Sequence, residues 1–186
     1  MPDGECHFSD VKISHDGKKI AAGSDQGLMI YDIEKKQQLT TDMPPVEKVT
    51  WIDDTHVACE QYQIVQDAMD SSDVWMRQKR QYAFSIYDVQ GQKVLNTNEA
   101  NFGYDTDTIG MQMIYPEKSG EKVPEILGWL RSDLYFIDGK TGNIEDMISF
   151  QSDIVSVQRC SDNDSFVFAG LSDGTIVKVS VGETIS

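Results

Sequence analysis

The sequence has few of the features on which secreted and membrane-spanning proteins rely. Its three cysteines, Cys6, Cys59 and Cys160, are an odd number and lie far apart, which argues against a disulfide framework and for a reducing compartment. No apolar run approaches the roughly 18 residues of a membrane-spanning helix. The first residues also lack the basic start and apolar core of a secretory signal. We therefore expect a cytoplasmic or nuclear protein with no membrane span.

Positive charge is also scarce, with 16 Lys and Arg residues against 31 Asp and Glu residues and a formal net charge of -15. A field of this sign repels phosphate backbones, so we expect no direct nucleic-acid binding. The same field would attract a basic patch on a protein partner. The alternative is that the charge only maintains solubility.

Catalytic and metal-binding groups do not converge on any recognisable motif. The three histidines, His7, His15 and His56, are scattered, and none accompanies a nucleophile motif. Cys6-His7 lacks the second Cys/His pair that a zinc site needs. The acidic stretch 67–73 lacks the alternate spacing and the glycine of a calcium loop. We predict that the protein is not an enzyme and has no metal and no cofactor.

A repeated pattern of short strands is what the sequence does contain. Between residues 9 and 40, the runs "SDVKIS", "KIAAG", "LMIYDI" and "QLTTDM" are separated by turn signals such as Asp16-Gly17. Near the other end, "IVSV", "FVFAG" and "TIVKVSV" repeat the order. Small residues recur at one spacing in both copies: Ala22-Gly23 and Gly27, then Ala169-Gly170 and Gly174. Two looser copies lie between them, so the sequence predicts four similar units.

The end of the third strand in each unit gives the period of the repeat. Asp32, Asp88, Asp138 and Ser180 occupy this position at intervals of 56, 50 and 42 residues. A period of roughly 40 to 45 residues with four strands is typical of a propeller blade. A polar insertion at 66–80, between a second and a third strand, accounts for the long first interval. The predicted blades cover about 8–43, 46–98, 108–150 and 152–182.

These units resemble WD40 repeats. The stretch "FSDVKISHDGKKIAAGSDQGLMIYDIEKKQQL" is similar to nearly a full blade, with Tyr31-Asp32 where the family prefers Trp-Asp. "DGKTGNI", which begins at Asp138, is similar to the family's common turn between the third and fourth strands. The resemblance implies an all-β, WD40-like β-propeller over residues 1–186 as a single domain. It also implies a non-catalytic scaffold that binds partner proteins through its loops.

The number of predicted blades does not determine how the propeller ring closes. Propellers of this family usually have more than four blades, up to about eight, and the last unit here shows only three strands. An open set of blades would expose two edges and two apolar faces. Four arrangements would cover these edges and faces: a longer chain, a homodimer of two four-bladed copies, a partner chain that completes the ring, or a compact ring of four blades. The alternative function is therefore a structural subunit of a larger assembly.

The insertion supplies the candidate site for binding a partner. Trp and Arg are favoured in binding hot spots, and Met adapts to varied surfaces. The predicted contact residues are Val74, Trp75, Met76, Arg77 and Arg80. The alternative is that Trp75 packs on its own blade. The turn positions of the repeat are predicted to be structural: Gly23, Asp25, Gly27, Asp32, Asp88, Asp138, Gly170, Asp173 and Gly174.

Overall fold

The computed structural model describes residues 6–65, 79–104, 109–118, 121–160 and 163–181, and it consists of antiparallel β-strands joined by turns. Within those ranges the chain forms no helix, and hence none that is long and apolar enough to cross a membrane. The all-β class that the alternating patterns predict is confirmed.

The strands form four main sheets. In chain order the strands are β1 (Phe8–Ile13), β2 (Lys19–Ser24), β3 (Gly27–Asp32), β4 (Gln37–Thr40), β5 (Val46–Trp51), β6 (His56–Val65), β7 (Lys79–Asp88), β8 (Lys93–Tyr104), β9 (Ile109–Ile114), β10 (Glu117–Lys118), β11 (Glu121–Lys122), β12 (Glu125–Leu130), β13 (Asp133–Asp138), β14 (Ile144–Ser149), β15 (Ile154–Cys160), β16 (Asn163–Leu171) and β17 (Ile176–Ser180). Sheet 1 has the order β1-β2-β3-β4, sheet 2 β5-β6-β7-β8, sheet 3 β9-β12-β13-β14 and sheet 4 β15-β16-β17. Strands β10 and β11 pair only with each other, a hairpin that the sequence patterns did not predict.

The chain divides into two compact units, Met1–Thr106 with sheets 1 and 2, and Asp107–Ser186 with sheets 3 and 4. In the first unit, sheets 1 and 2 share a core of buried side chains: Ala21, Leu28, Ile30, Met43, Val46, Val49, Trp51, Val57, Cys59 and Tyr87. Burial of so much apolar surface is the main force that holds the two sheets together.

Polar groups fix the alignment of sheet 1 on sheet 2. The Ser9 hydroxyl donates to the Val46 carbonyl at 2.6 Å, and the Trp51 indole N–H donates to the carbonyl of Lys12 at 3.0 Å. The Val49 N–H donates to the Asp10 carboxylate at 3.2 Å. Because each of these bonds needs one register, they align β1 with β5.

Two glycines of the repeat are required for steric reasons. Gly27 has a φ of +107°, and a Cβ there would lie 2.5 Å from the carbonyl oxygen of Met43. Gly23 lies inside β2 rather than in a turn, and it faces β5 of sheet 2. A Cβ at Gly23 would lie 2.8 Å from the carbonyl oxygen of Val46. Gly170 likewise lies in a strand, β16, and not in a turn.

In the second unit, sheets 3 and 4 share a core of their own. Its buried members are Ile114, Leu127, Trp129, Leu134, Phe136, Ile154, Val157, Val167, Ala169, Leu171, Val179 and Val181. Gly110 in β9 leaves room for the indole of Trp129, because a Cβ at Gly110 would lie 2.1 Å from a ring carbon. Branched and aromatic side chains predominate in this core, as expected for sheet-on-sheet packing.

Burial differs strongly from strand to strand. All six residues of β12 are buried, whereas only one residue of β1 is even partly buried. In sheet 2, the residues of β6 from Val57 to Tyr62 are all buried. The thiol of Cys59 is among them, and burial raises its pKa.

Candidate partner-binding site

The predicted contact segment falls largely outside the described residues. Val74, Trp75, Met76 and Arg77 lie there, so only its two ends can be placed. β6 ends at Val65, and β7 begins at Lys79, its Cα partner in the ladder. The last two residues of the predicted insertion are therefore strand residues. The ladder holds the ends of the segment side by side at one end of sheet 2.

Arg80 is anchored within sheet 2. Its guanidinium forms an ion pair with the Glu47 carboxylate and lies 3.9 Å from the centroid of the Tyr62 ring. The Arg80 side chain is 13% exposed and that of Glu47 20%. A planar guanidinium suits both a carboxylate and an aromatic face. Arg80 is thus held in place beside the insertion.

Two tyrosines extend this cluster into the sheet. Tyr62 and Tyr82 are Cα partners in the ladder, and their ring centroids are 6.1 Å apart. Burial raises the pKa of the Tyr82 hydroxyl to about 12, so this group is a neutral phenol at physiological pH. The cluster of Glu47, Tyr62, Arg80 and Tyr82 thus lies in sheet 2, at the end where β6 stops and β7 begins.

Glu60 is the buried carboxyl next in line along β6, and sequence reasoning did not single it out. Its side chain is fully buried, and neither carboxyl oxygen has a hydrogen-bond partner among the described residues. Burial raises the pKa of Glu60 well above its usual value, although Lys48 partly offsets this effect. The strand pattern contains one usable signal, because Glu60 alternates with Ala58 and Tyr62 on one face.

The repeated aspartates hold the tips of the hairpins. Asp32 accepts the Lys35 N–H at 2.9 Å, Asp88 accepts those of Gln90 and Gly91, each at 2.9 Å, and Asp138 accepts the Lys140 N–H at 3.0 Å and the Thr141 N–H at 2.6 Å. Asp173 accepts the Thr175 N–H at 2.8 Å, and Asp25 accepts the His7 N–H at 3.1 Å. Backbone donors lower the pKa values of the Asp32, Asp88 and Asp173 carboxyl groups. Asp32, Asp88, Asp138 and Asp173 thus bind backbone amides of their own turns, whereas Asp25 binds the backbone amide of His7, which precedes β1.

Gly174 also lies in one of these turns, with a φ of +86°. This is the left-handed region in which glycine is favoured.

The titratable groups of the described residues form no recognisable catalytic arrangement. His56 lies 2.9 Å from the Asp53 carboxylate at a turn. Among the described residues, no three or more His, Cys, Asp and Glu side chains are grouped so that they could hold a metal ion. A cavity of about 310 Å³ lies in the first unit, where Asp42, Tyr87 and Lys93 are the ionisable groups in its lining.

Sheets 1 and 4 each have apolar side chains that are exposed. In sheet 1, Val11 is 54% exposed and Ile13 is 60% exposed. In sheet 4, Phe168 is 40% exposed and Ile176 is 72% exposed. Sheet 4 has three strands in the described part of the chain, and β17 is one of its edges. Apolar faces and strand edges of this kind are typical of interaction surfaces.

Comparison with known proteins supports the fold and gives no family. No protein-family model matches the chain, and no curated protein matches it. Among solved structures, the chain is similar to one described as the crystal structure of the computationally designed Ika4 protein, with a TM-score of 0.65 and 15% sequence identity. That match covers 98% of this chain and 96% of the other. At this identity the likeness concerns the fold alone.

Proposed function

We propose that this chain is a non-catalytic protein-interaction scaffold of the WD40 type, located in the cytoplasm or the nucleus. Each main sheet acts as a propeller blade, and the loops at the blade ends contact partner proteins. The support comes from the meander order of the sheets and from turns held by Asp32, Asp88 and Asp138. A binding loop on a rigid support loses little conformational entropy when it engages a partner.

The anchoring of the insertion is the single observation that carries this proposal. The ion pair of Arg80 with Glu47 and the contact of Arg80 with Tyr62 hold one end of the loop against sheet 2. The sequence of residues 74–77 contains an aliphatic, an aromatic, a thioether and a cationic side chain. A protein partner with an apolar pocket inside a basic rim fits this composition and the net charge of -15.

Affinity capture with the 186-residue chain tests whether the insertion binds a partner protein. The partner is defined as a companion recovered in stoichiometric amount with the wild type. We expect the triple variant Val74→Ala, Trp75→Ala and Met76→Ala to lose that companion. The control variant Val94→Ala and Leu95→Ala changes two exposed apolar residues on β8 and should retain it. Equal recovery with both variants would contradict the role of the insertion.

A structural subunit of a larger assembly is the second candidate, and the exposed apolar faces of sheets 1 and 4 favour it. Pairing of a foreign strand with β17 or burial of these faces would supply the binding energy. The mass in solution separates the two candidates. A stable monomer of 20.9 kDa favours the scaffold, and an obligate larger complex favours the subunit.

A further inference from the structure

We infer that two copies of this chain bind head to tail, with the outward face of sheet 1 in each copy packed on the outward face of sheet 4 in the other. This inference rests on the second of the functions proposed above and names a second copy as the partner.

The two faces are defined by the alternation of side chains along each strand. The sheet 1 face consists of Val11, Ile13, Ile20, Ala22, Met29 and Tyr31. The sheet 4 face consists of Ser156, Gln158, Phe166, Phe168, Ile176 and Lys178. In both sheets the opposite set of side chains packs on the neighbouring sheet of the same unit.

The β-bulges show that sheets 1, 2 and 4 share one register. Each first strand has a shift near its start, between Phe8 and Asp10, between Val46 and Lys48, and between Ile154 and Ser156. Counting from the bulge makes three valines equivalent: Val11, Val49 and Val157. Val49 is buried in the contact of sheet 2 with sheet 1, and Val157 in the contact of sheet 4 with sheet 3. Val11 occupies the same position and is 54% exposed.

The same comparison identifies the sheet 4 face. Ile176 and Gly170 are paired across the β16–β17 ladder, as Leu28 and Gly23 are across the β2–β3 ladder. Leu28 is buried against sheet 2, whereas Ile176 is 72% exposed. The sheet 4 face therefore corresponds to the face of sheet 1 that packs on sheet 2. The free face of sheet 1 corresponds to the face of sheet 2 that packs on sheet 1. Together, the two free faces therefore correspond to the two sides of the contact between sheets 1 and 2.

Gly170 supplies a steric argument for a missing neighbour. The equivalent Gly23 is needed because sheet 2 comes so close that a Cβ would lie 2.8 Å from the Val46 carbonyl oxygen. Among the described residues, a Cβ at Gly170 would meet Ser156 of its own sheet, with the hydroxyl at 3.1 Å and the carbonyl oxygen at 3.9 Å. The sheet 4 face thus leaves room for a sheet to approach as closely as sheet 2 approaches sheet 1.

Charge does not oppose the contact at these faces, although the chain as a whole has a net charge of -15. The sheet 1 face has no ionisable group except the Tyr31 hydroxyl. The sheet 4 face has one charge, the ammonium of Lys178, which lies 4.1 Å from the centroid of the Phe166 ring. Repulsion between copies then comes from the remaining surface, and salt should strengthen the association.

The area of the faces favours a dimer in which two such contacts form. Six residues along a strand and three or four strands across give about 300–400 Å² on each side of one contact. One contact therefore buries about 600–800 Å², which is typical of a weak complex, whereas two contacts bury about 1,200–1,600 Å², the size of a stable specific interface. Two contacts arise when each copy offers both of its faces to the other.

Sedimentation equilibrium of complementary variants tests the inference. The wild type should have twice the monomer mass of 20.9 kDa. Ile13→Asp places a charge on the sheet 1 face, and Ile176→Asp places one on the sheet 4 face, at side chains 60% and 72% exposed. Each variant alone should be a monomer, because every copy lacks the same face. The control Leu95→Asp, at an exposed residue on β8 outside both faces, should remain a dimer.

Mixing the two variants separates head-to-tail binding from other geometries. Together they retain one intact sheet 1 face and one intact sheet 4 face, so a 1:1 complex should form, at least tenfold more weakly than the wild-type dimer. A monomeric wild type, a variant that dimerises alone, or an absence of the mixed complex would overturn the inference. If the wild type is a monomer and a stoichiometric companion is lost from both variants, self-association is wrong and the subunit function stands. If that companion is retained by both, the inference and the subunit function both fail.

Discussion

The buried carboxyl of Glu60 makes the stability of the first unit depend on pH in an unusual direction. In the folded state burial raises the pKa of Glu60 above its usual 4.5, whereas the unfolded chain has the usual value. Between these two values the unfolded state binds fewer protons than the folded state. The free energy of unfolding should therefore fall as the pH rises, by up to about 1.4 kcal/mol per pH unit. Below about pH 4.5 both states are protonated, and the effect disappears.

Glu60→Gln isolates this effect, because the amide has the shape of the protonated acid and does not titrate. We expect the stability of the variant relative to the wild type to increase between pH 5 and pH 7, by at most about 3 kcal/mol, the limit for one proton over two pH units. Urea unfolding at each pH, followed by tryptophan fluorescence, to which the buried Trp51 contributes, measures the difference. Glu34→Gln, which neutralises a carboxylate that is 65% exposed, is the matched control for the loss of one carboxylate.

Glu60→Met adds a test that does not depend on titration. The methionine side chain has a volume similar to that of glutamate. The substitution removes a buried polar group without hydrogen-bond partners among the described residues, so the variant should be more stable at pH 7 by about 1–3 kcal/mol. A pH-independent difference for Glu60→Gln, together with destabilisation by Glu60→Met, would refute the reasoning. Such a result would mean that the carboxylate is ionised and stabilised in the folded protein.

Three further predictions concern the first unit. Gly27→Ala should destabilise it by about 1–3 kcal/mol in urea unfolding, because a φ of +107° and the Met43 carbonyl both oppose a side chain there; a change below 0.5 kcal/mol would contradict this. Trp51→Phe removes the indole bond to β1 and should cost about 1 kcal/mol in the same assay. A double-mutant cycle with Glu47→Gln and Arg80→Met should give a coupling energy of about 1 kcal/mol, and additive effects would rule out the ion pair.

The strands were predictable because local chemistry specifies them. Asp16-Gly17 closes the first hairpin, and Ser24-Asp25-Gln26-Gly27 closes the second, with β3 starting at Gly27. The alternating residues between such turns leave few other solutions. The runs "KIAAG" and "FVFAG", which the sequence predicts to be strands, lie within β2 and β16. Turn residues and alternation act over a few positions, so a single sequence contains them.

The candidate site was less predictable because it depends on pairing between distant residues. Arg80 appeared to belong to the insertion, but β6 continues far enough to pair with it, and Glu47 from a third strand binds its side chain. Although its alternation with Ala58 and Tyr62 within β6 is a weak signal of burial, the burial of Glu60 is set by the sheet as a whole. The same is true of Val11 and Val49, which have equivalent positions and opposite exposures.

Because Cys59 is buried between sheets 1 and 2, the reactivity of its thiol reports the separation of these two sheets. The thiol is enclosed in the core between sheets 1 and 2, and its raised pKa keeps it protonated. Alkylating reagents attack the thiolate, so this sulfur reacts only in molecules whose sheets have separated. The rate at which Cys59 is modified under native conditions thus reports how often that core opens, without any introduced label.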